Sequence, residues 1–253
     1  MLTLVFLDLD DTLFQSRRKC PPDAGDLQLA ACLQGGIPHS FTTAKQRALW
    51  RLLDGNATVI PTTARDLDAL RRVALPFRSW CILDYGGVIL DPGGAPDAHW
   101  HQRMRAVSAA SLGALQELTA AIERHIQTAG LSAHVRIVED LGLPFYLVAK
   151  YRAGRSQDLD RLQAELVAPW VAARSPDFRL HRNGNNLAVL PAALGKEHAV
   201  RHLIGRLALE WDEILSIGIG DSLIDGAFMA ECDYAVTPRG TQLFDATFGH
   251  WVA

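Results

Sequence analysis

The sequence TLVFLDLDDT occupies residues 3–12 and joins an apolar run to a group of acids. The apolar part ends at Asp8 and predicts a buried β-strand with functional groups at its carboxyl end. Side chains alternate along an extended chain, so Asp8 and Asp10 lie close together where the strand opens into a loop. Two carboxylates this close repel each other unless a cation lies between them, and Mg²⁺ suits such a site because it binds carboxylates together with phosphate and water. Taken alone, the segment is equally well explained as an acidic turn after a buried strand.

The segments that follow alternate between helices and strands. Thr43 and Gln46 have the spacing of a capping box, which predicts a helix that ends at Gly55. Further strands are predicted at residues 58–60, 80–83, 214–219 and 234–236. This alternation predicts an α/β fold, a Rossmann-like parallel sheet with helices on its faces. Ligands bind beyond the carboxyl ends of the strands in such sheets, which is where Asp8 and Thr63 fall.

Residues 91–190 follow a different pattern. A long helix, a hairpin, a second helix and a second hairpin are predicted at residues 99–128, 133–151, 157–173 and 178–190. The hairpin turns are predicted at Gly142-Leu143-Pro144 and at Asn183-Gly184-Asn185, where Asn-Gly is a strong turn signal. The order predicts an inserted α+β domain, an antiparallel sheet covered on one face by two helices. The predicted domains are therefore a core of residues 1–90 and 191–253 and an insertion of residues 91–190.

Three further segments carry candidate functional residues. Thr63 follows a strand and offers a hydroxyl to a phosphate oxygen, and Lys196 opens a helix after Gly195. Asp221 and Asp225 follow the strand at 214–219 and return two more acids to the same edge of the sheet. Each has an ordinary explanation when taken alone. Thr63 is a good helix N-cap, Asp221 and Ser222 are good caps for the helix that follows them, and a lone lysine nearly always lies on the surface.

The order of these segments along the chain is informative. A strand ending in DxDxT, a strand followed by Thr, a Lys, and a strand ending in GDxxxD together resemble the four motifs of the haloacid dehalogenase superfamily. The insertion between the Thr and Lys motifs resembles the larger cap domain of the Cof-like and sucrose-phosphatase-like sugar phosphatases and of the phosphomannomutases. Three positions depart from the usual pattern: Ala64 replaces Gly in Thr-Gly-Arg, Asp11 replaces the commoner Gly, and Asp84-Tyr85-Gly86-Gly87 replaces Asn-Gly.

The resemblance implies a catalytic role for each motif residue. Asp8 matches the nucleophile that forms an aspartyl-phosphate. Asp10 matches the general acid/base that protonates the leaving oxygen and then deprotonates water, and an Asp there is typical of phosphatases rather than dehalogenases. Thr63 and Lys196 match the groups that hold the transferring phosphoryl group and offset its charge.

The resemblance also implies a Mg²⁺ cofactor. Its ligands would be Asp8, the backbone carbonyl of Asp10, and Asp221. Asp225, with Ser222 beside it, would orient Lys196 or a metal-bound water.

The inserted domain would recognise the leaving group. Arg65 in the core, and Arg182, Asn183 and Asn186 at the second hairpin, are candidates for substrate binding. Arg and Asn side chains suit sugar hydroxyls or a second anionic group. The simpler explanation of the hairpin residues is a turn beside a solvated arginine.

These observations predict a Mg²⁺-dependent phosphomonoesterase that acts on a phosphorylated small metabolite, with a sugar phosphate as the best candidate. One alternative is a sugar-phosphate phosphomutase, which shares the core chemistry but passes the phosphoryl group to a sugar hydroxyl. Another is a non-catalytic binding or regulatory protein, although all the motif residues are present.

The composition of the 253-residue chain is ordinary for a folded protein, with 49% hydrophobic and 21% charged residues. A net charge of -3 indicates neither a nucleic-acid nor a membrane-surface partner. The N-terminus lacks the pattern of a signal peptide, and no segment has the roughly 20 apolar residues of a transmembrane helix. Four widely spaced cysteines favour free thiols in a reducing cytosol. We therefore expect a cytoplasmic enzyme whose partner is a small phosphorylated molecule, and no motif indicates its oligomeric state.

Overall fold

The computed structural model describes residues 1–251. Its strands are β1 (Leu2–Leu7), β2 (Gln15–Ser16), β3 (Gln28–Cys32), β4 (Pro38–Thr42), β5 (Thr58–Pro61), β6 (Cys81–Leu83), β7 (Val88–Leu90), β8 (Ala133–Asp140), β9 (Leu143–Tyr151), β10 (Phe178–Asn183), β11 (Asn186–Pro191), β12 (Ile214–Ile219) and β13 (Tyr234–Val236). Its helices are α1 (Ala44–Leu53), α2 (Leu67–Arg71), α3 (Ala98–Ala129), α4 (Ser156–Leu162), α5 (Ala168–Ala172), α6 (Lys196–Leu207), α7 (Leu223–Met229) and α8 (Gln242–Phe248). Two compact units form, one of Met1–His101 with Gly195–Ala253 and one of Gln102–Leu194.

The first unit is built on a parallel sheet of strand order β13-β12-β1-β5. Val5 in β1 lies opposite Ile217 of β12 and Val59 of β5. The apolar side chains of β1 from Leu4 to Leu7 are fully buried, because strands on both sides and helices on the faces cover them. The predicted parallel core sheet is confirmed, and the carboxyl ends of β1, β5 and β12 meet at one edge.

The strand predicted at residues 80–83 forms as β6 but does not extend the four-stranded sheet. It pairs with β7 in an antiparallel hairpin, and a parallel bridge between Thr62 and Ile82 connects it to the end of β5. The chain reverses directly after β6 through the 3-10 turn Asp84–Gly86, in which all three residues have positive φ. This turn separates β6 from β7 and lies close to the residues that follow β5.

Helix α1 begins as the sequence predicts. The hydroxyl of Thr43 accepts from the backbone N–H of Gln46 at 3.3 Å, and the amide oxygen of Gln46 accepts from the backbone N–H of Thr43 at 2.9 Å. These reciprocal bonds confirm the capping box. The helix ends at Leu53, with Gly55 in the left-handed conformation that stops it.

A small antiparallel sheet of order β2-β4-β3, which the sequence did not predict, lies between β1 and α1 in the chain. Strand β2 has two residues, and the pairing of β3 with β4 shifts register around Ala31. Such irregularities interrupt the alternation of apolar and polar residues by which strands are recognised. The side chain of Gln46 donates to the side chain of Gln15 and to the backbone oxygen of Thr12, which ties this sheet to the loop after β1.

The second unit is an antiparallel sheet of order β10-β11-β9-β8 with helices packed against it, as predicted. Its core is formed by apolar side chains from α3, the sheet and the helical segment after β9, among them Leu115, Leu118, Ile122, Leu147, Leu159, Leu162, Val167 and Leu187. The helix predicted at residues 157–173 forms as α4, a π-helical turn and α5, with Pro169 in the first turn of α5, where a missing N–H is tolerated.

The first hairpin of this unit turns earlier than predicted. Leu141 and Gly142 occupy the turn with φ values of 48° and 74°. Leu143 and Pro144 belong to β9, so the predicted turn at Gly142-Leu143-Pro144 is wrong. A two-residue turn with both residues at positive φ matches the twist of the flanking strands, and this requirement outweighs the turn preference of Pro144.

The second unit spans Gln102–Leu194, so both of its boundaries lie later in the chain than the bounds of 91 and 190 predicted for the insertion. Trp100, near the start of α3, is 1% exposed, and its indole nitrogen donates to the backbone oxygen of Gly86 at 2.8 Å. The carboxylate of Asp97 accepts from the backbone N–H of Trp100 at 2.8 Å and caps the helix. The first turn of α3 therefore belongs to the unit of Met1–His101, which a pattern of apolar residues alone does not reveal.

Within residues 1–251, no helix has both the length and the apolar character needed to cross a membrane. The cysteines at positions 20, 32, 81 and 232 are free. Burial raises the pKa of the Cys81 thiol to about 11, so this thiol stays protonated and unreactive near neutral pH.

Candidate active site

Three strand ends converge at the carboxyl edge of the parallel sheet. The backbone N–H of Asp8 donates to the oxygen of Ile219 at 2.9 Å, and the backbone N–H of Thr62 donates to the oxygen of Leu7 at 2.8 Å. These bonds continue the sheet pairing by one residue past the end of β1 and by one residue past the end of β5. Asp8, Thr63 and Asp221 are thereby brought to one place, each buried and each following a different strand.

Asp8 forms a buried ion pair with Lys196 at the start of α6. The ammonium nitrogen lies 2.6 Å from Oδ1 of Asp8 and 2.7 Å from Oδ1 of Asp225. Burial lowers the pKa of Lys196, but the negative charges of Asp225 and Asp8 more than offset this effect and raise the pKa above its usual value. Lys196 is therefore a permanent cation, and it lies at the centre of the site rather than on the surface.

Asp225 fixes the position of Lys196. While Oδ1 of Asp225 accepts from Lys196, its Oδ2 accepts from the backbone N–H of Ser222 at 3.0 Å and from the Ser222 hydroxyl. Gly220 allows this approach, because a Cβ at that position would lie 2.5 Å from the Cβ of Asp225. The GDxxxD segment thus places one acid beside the lysine, and Ser222, not Asp221, caps α7.

Three carboxylates of this site could share one cation. Among residues 1–251, oxygens of Asp8, Asp221 and Asp225 lie within 4.8 Å of one another. Burial raises the pKa of Asp221 to about 6, and the charge of Asp225 adds to the shift. Burial likewise raises the pKa of Asp8, although the charge of Lys196 opposes it. Buried carboxylates that resist ionisation are the environment in which a divalent cation gives the largest stabilisation.

The hydroxyl of Thr12 lies between two of these carboxylates. Its oxygen is 3.1 Å from Oδ1 of Asp221 and 3.3 Å from Oδ2 of Asp8. Because both oxygens of Asp225 are engaged by Lys196 and Ser222, Asp8 and Asp221 are the better ligands for a cation. A hard cation such as Mg²⁺ fits this all-oxygen donor set.

The side chain of Asp10 pairs with Arg65, whereas that of Asp8 pairs with Lys196. Its Oδ2 accepts from Nε of Arg65 and its Oδ1 accepts from Nη2 of Arg65, both at 2.7 Å. The Asp10 side chain is 50% exposed, in contrast to the buried Asp8. The structure thus places Arg65, a candidate for substrate binding, on the carboxylate of Asp10.

Thr63 is buried and does not cap the next helix. Its hydroxyl oxygen accepts from the backbone N–H of Arg65 at 3.2 Å, so the hydroxyl hydrogen can donate to a phosphate oxygen. The N-cap of α2 is Asp66, whose carboxylate accepts from the N–H of Ala69 at 2.7 Å.

The turn Asp84–Gly86 packs against the segment that carries Thr63 and Arg65, a role that the sequence did not predict. Its backbone N–H groups at Asp84 and Tyr85 donate to the backbone oxygens of Arg65 and Thr63, at 3.0 and 3.2 Å. Asp84 and Tyr85 have φ values of 52° and 56°, which are rare for residues other than glycine. Strained conformations of this kind often mark functional sites. The one feature of the sequence that could have pointed to this turn was the departure from Asn-Gly at these positions.

Similarity to solved structures identifies the fold that carries this site. The chain aligns with a haloacid dehalogenase-like hydrolase from B. subtilis at a TM-score of 0.54 and 13% identity, covering 94% of this chain and 95% of that chain. The fold is that of the haloacid dehalogenase-like hydrolases. The sucrose-phosphatase from Synechocystis sp. PCC6803 aligns at a TM-score of 0.55 and 19% identity over 98% of this chain and 88% of that chain. The C-terminal domain of trehalose-6-phosphate phosphatase from C. albicans aligns at 0.51 and 15% over 90% of this chain and 72% of that chain.

No protein-family model matches the sequence, and no curated protein matches it. The haloacid dehalogenase-like fold is therefore established by the structure rather than by overall sequence similarity. The four segments that carry the candidate residues lie at the ends of β1, β5 and β12 and at the start of α6.

The candidate substrate residues of the insertion belong to the unit of Gln102–Leu194. Arg182 forms an ion pair with Asp160 at 3.0 Å and donates to the backbone oxygen of Gly184 at 2.5 Å. Asn183 and Asn186 lie opposite each other at the end of the β10–β11 hairpin. Within their unit, Arg182 thus contacts both α4 and the hairpin turn, and the two asparagines flank that turn. A role in substrate binding stays a prediction.

Proposed function

We propose that this protein is a Mg²⁺-dependent phosphomonoesterase that hydrolyses a phosphorylated small molecule through an aspartyl-phosphate on Asp8. The observation that carries the proposal is the buried contact of 2.6 Å between Oδ1 of Asp8 and Nζ of Lys196, with the Asp221 carboxylate in the same cluster. A carboxylate nucleophile, a fixed cation and a metal-ligating acid are the groups that phosphoryl transfer requires.

The first half of the reaction transfers the phosphoryl group to the protein. An oxygen of Asp8 attacks phosphorus as the bond from phosphorus to the leaving oxygen breaks, and Asp10 gives that oxygen its proton. The ammonium of Lys196 and the hydroxyl of Thr63 offset the negative charge on the transferring oxygens. Lys196 needs no reorganisation for this role, because Asp225 already holds it in place.

The second half releases phosphate. Asp10, now a carboxylate, takes a proton from water as the water oxygen attacks the phosphorus of the aspartyl-phosphate. The bond between phosphorus and the Asp8 oxygen breaks, which regenerates the Asp8 carboxylate and inorganic phosphate. The same two aspartates therefore serve both halves, one as nucleophile and one as proton carrier.

Asp8 and Asp221 are the side chains that would hold the metal ion. When bound, Mg²⁺ supplies positive charge that offsets the charges of the carboxylates and of the phosphate. The raised pKa values of both acids support this assignment, because two buried carboxylates need compensating charge to ionise together near neutral pH.

A sugar phosphate is the substrate class that we propose. Two of the aligned structures are a sucrose-phosphatase in complex with sucrose and phosphate and a trehalose-6-phosphate phosphatase. Their identities of 19% and 15% are too low to carry a substrate from one protein to another, so the class rests on the shared fold and on the insertion between the Thr and Lys motifs.

Release of inorganic phosphate from a panel of phosphorylated sugars, nucleotides and small acids tests the proposal. Wild-type protein is assayed with Mg²⁺ and with EDTA, beside Asp8→Asn and the control Asp26→Asn, which alters an exposed acid paired with Arg47. We expect metal-dependent release concentrated on sugar phosphates, unchanged in Asp26→Asn and abolished in Asp8→Asn. Acid quenching should trap a protein-bound phosphoryl group that hydroxylamine removes.

Three results would contradict the proposal. Folded wild-type protein that released no phosphate from any compound would exclude phosphomonoesterase activity on these substrate classes. An Asp8→Asn variant with near wild-type turnover would exclude Asp8 as the nucleophile. Transfer of the phosphoryl group to a sugar hydroxyl instead of water would identify a mutase.

A further inference from the structure

Arg65 forms a bidentate ion pair with the carboxylate of Asp10, in which two N–H groups of the planar guanidinium act as a fork. Its Nε and Nη2 atoms each donate to a different oxygen of Asp10, both at 2.7 Å. A bidentate pair of this kind fixes both the position and the plane of a carboxylate, which a single hydrogen bond does not. Asp10 is half exposed, so without this partner its side chain is free to rotate in solvent.

Arg65 is itself held from several directions. Its Nη1 donates to the backbone oxygen of Ala69 at 3.4 Å, and its guanidinium lies over the ring of Phe14 at 5.1 Å from the centroid. Its backbone N–H donates to the hydroxyl of Thr63, and its backbone oxygen accepts from Asp84. The side chain is only 15% exposed. Arg65 is therefore a fixed support for Asp10.

We propose that Arg65 is a positioning residue that orients the carboxylate of Asp10 for proton transfer, and that it does not bind the substrate. The inference rests on the proposed phosphatase function. Each carboxylate oxygen retains a lone pair after accepting from Arg65, and that lone pair can carry the proton. Misplacement of a reacting group by about 1 Å can cost on the order of 100-fold in rate. Loss of the bidentate pair should therefore lower the reaction rate more than it lowers the free energy of unfolding.

The leaving group of the substrate separates this role from substrate binding. An alkyl phosphate such as β-glycerophosphate has a basic leaving oxygen that needs the proton of Asp10. The leaving oxygen of p-nitrophenyl phosphate is stable as an anion and needs no proton. A variant that misplaces Asp10 therefore loses kcat/KM on the alkyl phosphate, whereas a variant that removes a phosphate-binding group loses it on both compounds.

The experiment measures kcat/KM on both compounds for wild type, Arg65→Gln, Asp10→Asn and the double variant. We expect Arg65→Gln to lose at least about tenfold on β-glycerophosphate and less than about threefold on p-nitrophenyl phosphate. The double variant should be no slower on β-glycerophosphate than Asp10→Asn alone, because both changes remove the same step. Arg65→Lys should resemble Arg65→Gln, since it keeps the charge and loses the fork.

Arg201→Gln is the matched control. Arg201 also forms a bidentate pair with a carboxylate, that of Glu231, but on the exposed surface of α6. We expect wild-type rates on both compounds for this variant. Thermal unfolding of every variant establishes that the folded state is retained at the assay temperature.

The outcomes are distinguishable. Equal losses on both compounds, additive losses in the double variant, or wild-type rates in Arg65→Lys on both compounds would overturn the positioning role while leaving the phosphatase function intact. Wild-type protein inactive on both compounds and on the wider panel would overturn the proposed function, and the inference with it.

Discussion

Gly86 packs directly against Gly195, the residue that precedes Lys196. A Cβ at Gly86 would meet the backbone oxygen of Gly195 closer than a carbon and an oxygen can approach, and Gly86 has a φ of 95°. The turn after β6 therefore packs in close backbone contact with the start of α6. Because Lys196 is the first residue of α6, the position of this turn and the position of the Lys196 side chain are linked.

We predict that Gly86→Ala lowers both stability and activity. The methyl group adds a backbone clash and a strained conformation, which together cost about 2 kcal/mol or more of unfolding free energy. Displacement of Lys196 should lower kcat/KM by at least about tenfold. Thermal unfolding and phosphate release measure the two effects.

Gly205→Ala provides the control, because Gly205 lies on the same helix with open space around its Cα. Alanine there should raise stability by up to about 1 kcal/mol and leave activity unchanged. Wild-type activity in Gly86→Ala would show that the turn does not position Lys196.

Removal of the central cation should destabilise the fold. Lys196→Met leaves Asp8 and Asp225 buried beside each other without a positive charge, and breaking a buried pair in this way costs about 3–5 kcal/mol. Chemical denaturation in EDTA measures the loss. The exposed Lys45→Met should change stability by less than about 0.5 kcal/mol. A loss in Lys196→Met no larger than that would contradict the buried ion-pair geometry.

Binding of Mg²⁺ should depend on pH through Asp221. Its pKa rises from 3.8 to about 6 on folding, so without metal the folded state holds this proton more tightly than the unfolded state. Stability in EDTA should therefore fall as pH rises from 3.8 to about 6. A cation binds the ionised carboxylate, so the increase in Tm caused by Mg²⁺ should be larger at pH 7.5 than at pH 5.

Asp221→Asn tests this assignment. The variant should lose most of the Mg²⁺-induced increase in Tm, and its stability in EDTA should fall less over the same pH range, because the titrating carboxylate is gone. An increase in Tm that is equal at both pH values, or that is retained in Asp221→Asn, would contradict Asp221 as a metal ligand.

The capping box at α1 gives a smaller prediction. Thr43→Ala removes the acceptor for the backbone N–H of Gln46 and should cost about 1 kcal/mol of unfolding free energy. Thr43→Ser retains the acceptor and should cost less. Neither variant should change kcat/KM, since no atom of Thr43 belongs to the site. Equal losses in both variants would show that the methyl group, not the hydrogen bond, stabilises the helix start.

The parts of the fold that depend on local pattern were predictable from the sequence. The apolar run before Asp8, the capping box at Thr43 and the glycine after α1 each depend on residues a few positions apart. Propensity and periodicity report such local relationships directly. The parallel core sheet and the antiparallel sheet of the insertion followed from the order of these elements.

The parts that depend on distant contacts were not predictable. A lone lysine predicts a surface position, and Lys196 is buried only because acids from two other segments surround it. The fork of Arg65 on Asp10 joins residues 55 positions apart, and no spacing rule encodes it. The first turn of α3 joins the core unit through Trp100, which a pattern of helical residues does not distinguish from the rest of the helix.

The position of β1 in its sheet has a consequence for synthesis on the ribosome. β1 is made before both of its neighbours, β5 and β12, and β12 begins only at Ile214. Until that segment leaves the exit tunnel, one side of a largely apolar strand has unpaired backbone groups, which are a template for aggregation. The unit of Gln102–Leu194 has all its strands before this point and can fold earlier. Nascent chains that stall before residue 214 should therefore be the ones that require chaperones.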